Sequence, residues 1–163
     1  MLMKKIKYML LFAVIGGSIA SCKEDDNFDA KAQFSADTTA IRSYVTANNI
    51  PVIKDQYGIF YQIIAPGTGN VAYTGSTVVT VDYSGKVLGE ATNFDSTSGK
   101  PVTFMLGSLI KGWQIGIPYI QQGGKIRLFI PSAYGYGNDA QSAIPANSVL
   151  DFTIELTTGA QTL

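Results

Sequence analysis

The chain has 163 residues, 46% of them hydrophobic and 15% charged, which suits one compact domain plus a tail and excludes a disordered chain. It has no histidine and one cysteine, so an internal disulfide is excluded and most residues of nucleophilic and metal chemistry are missing. Its 12 basic and 12 acidic residues balance, but loss of a leader bearing Lys4, Lys5 and Lys7 leaves an acidic excess; that argues against a nucleic-acid partner, because no basic patch remains to displace phosphate counterions.

The lysines precede an apolar run from Tyr8 to Ala20, shorter than the roughly 20 residues that span a bilayer as a helix and built like an export signal. The run ends Ile19-Ala20-Ser21-Cys22, which resembles the lipobox of bacterial lipoproteins. That resemblance implies a signal peptide over 1–21 and lipidation at Cys22, and so a membrane anchor held by several acyl chains rather than one. The alternative is an ordinary secretory signal with a chance cysteine. Residues 22–34 then form the lipidated cysteine and a polar tether. Within it, Lys23-Glu24-Asp25-Asp26 looks like the signal that sends some Gram-negative lipoproteins to the outer face of the outer membrane; a plain acidic tether reads almost as well.

Ser35 or Asp37 can cap a helix assigned to 35–50, with Ile41, Tyr44 and Val45 on one face and Asn48-Asn49 as its stop before Pro51. Its one narrow apolar face reads as a spacer packed on a sheet rather than as a dimerisation element, and the protein is expected to be a monomer. Residues 51–163 form the main domain. Five strands are expected there: Gly58 to Ile64, Thr77 to Tyr83, Pro101 to Leu106, Lys125 to Pro131 and Ser148 to Leu156. Between the third and fourth lies a short helix from Ser108 to about Ile117, ended by Pro118, with Leu109, Trp113 and Ile117 at four-residue spacing. The fold class expected is α+β: an antiparallel sheet of about five strands wrapped around one short amphipathic helix, with an extra N-terminal helix.

Seven blocks in order carry a family resemblance: Val81-Asp82-Tyr83-Ser84-Gly85; Asn93-Phe94-Asp95-Ser96-Thr97; Pro101 to Gly107; Leu109-Ile110-Lys111-Gly112-Trp113; Ile130-Pro131 with Tyr134-Gly135-Tyr136-Gly137; Ile144-Pro145; and Leu150 to Leu156. Over roughly residues 56 to 157 the chain resembles the FKBP-type peptidyl-prolyl cis-trans isomerases. The resemblance implies proline-containing polypeptides as substrates and a role in folding exported or surface proteins. It also implies that Trp113 floors a proline pocket walled by Tyr83, Phe94, Val102, Leu109, Ile110 and Phe152, with Ile144 in a flap above it. The backbone N–H of Ile110 and the hydroxyl of Tyr136 would donate to substrate carbonyls, and Asp95 would stand at the pocket edge, hydrogen-bonded to Tyr83. Phe104 is read as packing, on the strand face opposite Val102. Asp95 could instead be a turn residue, and Tyr136 an ordinary loop aromatic.

An X-Pro bond turns over a barrier of about 18–20 kcal/mol in tens to hundreds of seconds. No bond need break, so no cofactor or metal is expected. A twisted amide has lost resonance and charge separation, so an apolar pocket that strips water from the carbonyl favours it over the planar form. Departures from the family pattern fall at the rim. Val102 stands where an aromatic residue is common, Ser132 and Ala146 where prolines are frequent, the flap from Asn138 to Asn147 lacks its usual glycines, and Ser98-Gly99-Lys100 offers no arginine to Asp95. Two other readings stay open: an FKBP-fold chaperone or peptide-docking module with little turnover, and a structural surface lipoprotein.

Overall fold

A computed structural model describes residues 28–162. The leader, Cys22 and the first part of the tether lie outside the described residues. Helix α1 (Ala30–Ala47) is followed by strands β1 (Ile53–Lys54), β2 (Phe60–Ala65), β3 (Thr77–Val87), β4 (Asp95–Ser96) and β5 (Val102–Met105), helix α2 (Lys111–Gly116), and strands β6 (Lys125–Ile130) and β7 (Leu150–Thr162). The sheet runs β1-β2-β6-β7-β3-β4, with β5 also paired to β3, and every pairing is antiparallel. The α+β architecture is as expected, but the sheet has seven strands rather than five; the two additional ones are the two-residue β1 and β4, too short to show a period.

The centre of the sheet carries a buried cluster on each face. On the inner one, Val79 and Val81 of β3, Ile126, Leu128 and Ile130 of β6, and Leu150, Phe152, Ile154 and Leu156 of β7 pack against Trp113 and Ile117. Helix α2 reaches this layer closely because it offers glycine there: a Cβ on Gly112 would stand 2.5 Å from Ile130 Cγ2, and one on Gly116 2.5 Å from Leu128 Cδ1. On the outer face, Phe60, Phe129 and Val149 receive Ile41 and Val45 of α1. There Arg127 holds the buried Asp151 with two parallel bonds of 2.9 and 2.7 Å.

Helix α1 begins earlier than the expected 35–50 and takes in the last part of the segment 22–34 expected as tether. Asp29 is its N-cap, its side chain accepting from the N–H groups of Lys31 and Ala32 at 2.9 Å each. Neither Ser35 nor Asp37 caps: both lie inside the helix, where Asp37 is buried. Its end matches the expectation, with Asn48 as C-cap and Asn49 in the left-handed region at φ 52°. Helix α2 is shorter than expected, because Leu109 stays extended and Ile110 is its N-cap. Pro118 does not stop the chain's winding but sits in the first turn of a 3-10 helix, Ile117–Tyr119, where no N–H is needed from it.

Candidate functional site

A cavity of about 310 Å³ opens between α2 and the inner face of the sheet. Trp113 lies at its base, 4% exposed. Its indole is met edge-on by Tyr83 at 5.0 Å, Phe152 at 5.1 Å and Phe104 at 6.4 Å between ring centroids, with interplanar angles of 83°, 90° and 89°. Such edge contacts add about 0.5–1.5 kcal/mol each beyond buried area and hold the indole plane fixed. The indole Nε1 is buried without a hydrogen-bond partner. Phe94 closes a further wall, edge-on to Phe152 at 5.5 Å. Gly85 allows this: a Cβ there would lie 2.3 Å from Phe152 Cε1 and 2.9 Å from Phe94 Cζ.

The polar groups stand around this apolar base. The Tyr83 hydroxyl donates to Asp95 Oδ2 at 2.6 Å, the pairing expected for these residues, while Asp95 Oδ1 accepts from the Ser96 N–H at 2.8 Å. Burial, and then the bond to Asp95, push the Tyr83 hydroxyl well above its ordinary pKa of 10.0. Strand β4 is fastened beside β3 by Thr97, whose Oγ1 accepts from the Tyr83 N–H at 2.8 Å and itself donates to Asp82. Tyr136 lines the cavity at 36% exposure, and its pKa is also raised, first by burial and then by the charge of Asp95. Among the described residues no acceptor takes its hydroxyl proton. The Ile110 carbonyl accepts from Trp113 and Gln114 at 3.0 and 3.2 Å, while the Ile110 N–H, at the start of α2, has no acceptor among the described residues. Gln114 pins this loop from below, donating to the carbonyls of Leu109 at 2.6 Å and Gly107 at 3.2 Å.

Tyr83, Phe94, Asp95, Leu109, Ile110, Trp113, Tyr136 and Phe152 are thus brought to one cavity. Two expected members are not. Val102 is 42% exposed and does not line it; Phe104 does, with Ser108. Positions i and i+2 of a strand share a face, so Val102 and Phe104 lie on the same side of β5, and Phe104 is the one nearer Trp113. The alternation of the sequence itself carries that signal. Ile144 is 5% exposed and packed into the inner core instead of lining the cavity; its neighbours Ala143 and Pro145 border a separate depression beside Phe94. An apolar residue between exposed ones is drawn into the core, and none of residues 138–147 lines the cavity. Among the described residues, no three side chains of metal-binding type gather at one point, and no helix is long and apolar enough to cross a membrane.

An antiparallel sheet packed on a short helix, with an apolar cavity floored by the helix's tryptophan and two donors without acceptors among the described residues at its edge, has the form of a site for a compact apolar group. Residues 69–157 match the model of the FKBP-type peptidyl-prolyl cis-trans isomerases, and the chain belongs to that family. Among its relatives, it is 46% identical over 107 residues to the FKBP-type peptidyl-prolyl cis-trans isomerase FkpA of Buchnera aphidicola subsp. Schizaphis graminum, covering 64% of this chain and 42% of that one. It is 40% identical over 101 residues to FkpA of Escherichia coli K12, covering 61% and 37%. The chain therefore spans less than half the length of these relatives. The crystal structure of FkpA from Escherichia coli superposes with a TM-score of 0.69 at 33% identity, over 81% of this chain and 62% of that one. A peptidyl-prolyl cis-trans isomerase from Pseudomonas syringae gives 0.65 at 30% identity, over 83% and 98%.

Proposed function

We propose that this protein is a peptidyl-prolyl cis-trans isomerase that assists the folding of exported or surface polypeptides, and that the cavity over Trp113 is where it turns the X-Pro bond. The observation that carries the reading is the pairing of an apolar cavity of about 310 Å³ with two donors at its edge, the Ile110 N–H and the Tyr136 hydroxyl. The proline ring lies on Trp113 between Tyr83, Phe94 and Phe152. Burial there removes water from the prolyl amide, which disfavours the planar, charge-separated form and brings the twisted form closer in free energy. The donors hold the flanking carbonyls, so rotation is confined to the one bond. Asp95, held by Tyr83, fixes the electrostatic sign of the rim near the rotating carbonyl. Every 1.4 kcal/mol gained by the twisted over the planar amide gives about tenfold in rate.

The reading extends to location. The leader over 1–21 and its Ile19-Ala20-Ser21-Cys22 end support export and lipidation at Cys22, which anchors the domain in the bacterial envelope, with Lys23-Glu24-Asp25-Asp26 favouring the outer membrane and its outer face. A monomer suffices, because one chain supplies the whole cavity.

The test is isomerisation of a proline tetrapeptide by the full chain, wild type against Tyr136→Phe. The wild type is expected to raise the rate well above buffer and the variant to lose about tenfold in kcat/KM, the worth of one hydrogen-bond donor to the substrate. A wild-type rate equal to that of buffer contradicts the enzyme reading and leaves a peptide-docking module. Radiolabelled fatty acid incorporated by the wild type and absent from Cys22→Ala is the result expected for the anchor; no label in the wild type contradicts it.

A further inference from the structure

Asp37 is a buried carboxylate for which the proposed mechanism has no use. It sits in α1, 3% exposed, on the side of the helix that carries Ile41 and Val45 to the outer face of the sheet. An ionised carboxylate is costly to bury unless donors surround it, and three do so here. Oδ1 accepts from Gln33 Nε2 at 2.7 Å; Oδ2 accepts from both the backbone N–H of Ser132, at 2.8 Å, and its hydroxyl, at 2.6 Å. Both Ser132 bonds cross 95 positions of sequence, so they fasten the N-terminal helix to the chain just after β6. A proline at 132 would forfeit both, having neither N–H nor hydroxyl.

What Ser132 carries gives the contact its meaning. It opens a 3-10 turn, Ser132–Tyr134, and its carbonyl accepts from the N–H groups of Gly135 at 2.9 Å and Gly137 at 2.8 Å, one on each side of Tyr136. Gly137 adopts φ 62°, a left-handed conformation that returns the chain to Ser132, and its carbonyl accepts from the Asn147 N–H at 2.7 Å. Alongside, Phe34 of α1 meets Tyr134 edge-on at 6.1 Å. The loop that presents Tyr136 to the cavity is therefore tied at its root, and the root is tied to a carboxylate on the opposite side of the sheet.

We propose that Asp37 is a positioning residue for Tyr136: through Ser132, helix α1 sets where the Tyr136 hydroxyl stands over the cavity. This rests on Tyr136 being a donor of the site proposed above. The helix then is more than a spacer, since its docking is part of what forms the cavity's rim.

The experiment compares Asp37→Asn and Ser132→Ala in the full chain, each in the wild-type and the Tyr136→Phe background, by kcat/KM for a proline tetrapeptide and by the NMR resonances of the Tyr136 ring and the Trp113 indole. Asp37→Asn keeps the shape and removes the charge, and is expected to lower kcat/KM about fivefold; Ser132→Ala keeps the N–H bond and is expected to lower it about twofold. Both should move the Tyr136 ring signals and leave the Trp113 indole in place. In the Tyr136→Phe background the losses should shrink toward nothing, because coupled residues are not additive. Equal losses in both backgrounds, or unmoved Tyr136 signals, overturn the proposal. Should Asp37→Asn not fold, Ser132→Ala decides alone. A wild type without isomerase activity would refute the enzyme reading, and the Tyr136 resonances would still settle the role of Asp37.

Discussion

Trp113 and Tyr136 border the same cavity but are held there by different means. Trp113 is 4% exposed, locked edge-on by three aromatic rings and carried on a helix that glycines let sink onto the sheet. Tyr136 is 36% exposed and stands on a loop fixed by hydrogen bonds to Ser132. The base of the site is thus also part of the hydrophobic core, whereas the rim is a set of hydrogen bonds laid over that core. Damage at the base should cost stability and function together; damage at the rim should cost function with the core intact.

The largest effect separates the two most sharply. Trp113→Ala removes the central ring of the aromatic cluster and should destabilise the domain by about 3–5 kcal/mol, seen as a lower denaturation midpoint together with abolished isomerisation. If activity vanished while the midpoint held, the base would not be core. A change of pH acts on the rim next. Tyr83 and Tyr136 both have raised pKa values, so their protons stay on past pH 10 and isomerase activity should hold level through that pH and fall only above it. Stability should decline over the same range: folded tyrosines hold protons more tightly than unfolded ones, so their contribution is complete below about pH 10 and is lost as pH rises. For Tyr119, raised to about 12 by burial and its bond to Asp55, the loss should run from pH 10 to 12. Denaturant midpoints measured between pH 8 and 11.5 check this; a midpoint unchanged by alkali would contradict it. The smallest effect is expected at Val102→Ala. Because this side chain is 42% exposed and outside the cavity, kcat/KM and midpoint should both stay within about twofold and 0.5 kcal/mol of wild type.

The same contrast decides how much could be read from the sequence. The base was legible because burial leaves periodic traces: alternating apolar residues on β3, β6 and β7, and Trp113 with Ile117 at helical spacing. Where the trace broke, so did the reading. Strand β3 runs on to Val87 although Ser84-Gly85 looks like its end, because its pairing with β7 continues through Gly85 to Val87, and the missing Cβ at Gly85 leaves room for the rings of Phe94 and Phe152. Asp37 looked like a cap because an acid before an apolar face usually is one; only a partner 95 positions away makes it a buried residue. Asp29 gives no sign in the sequence that it is the cap, because no apolar period follows it directly. The rim was legible in type and less so in place: Asp95 and Tyr136 reach the cavity as expected, but Val102 yields to Phe104 and Ile144 sinks into the core. Loop residues are placed by hydrogen bonds, some within the loop and some to distant parts of the chain, and such bonds leave no apolar period in the sequence.

For the proposed uptake of a prolyl residue by the cavity over Trp113 the protein supplies its own probe, since Trp113 is its one tryptophan. Titrating the full chain with a proline tetrapeptide and with the same peptide bearing alanine at that position, while following indole fluorescence, is the most direct measurement. A saturable change in intensity and emission maximum is expected with the proline peptide and none with the alanine peptide. An unchanged spectrum with both, or the same response to both, would contradict that uptake.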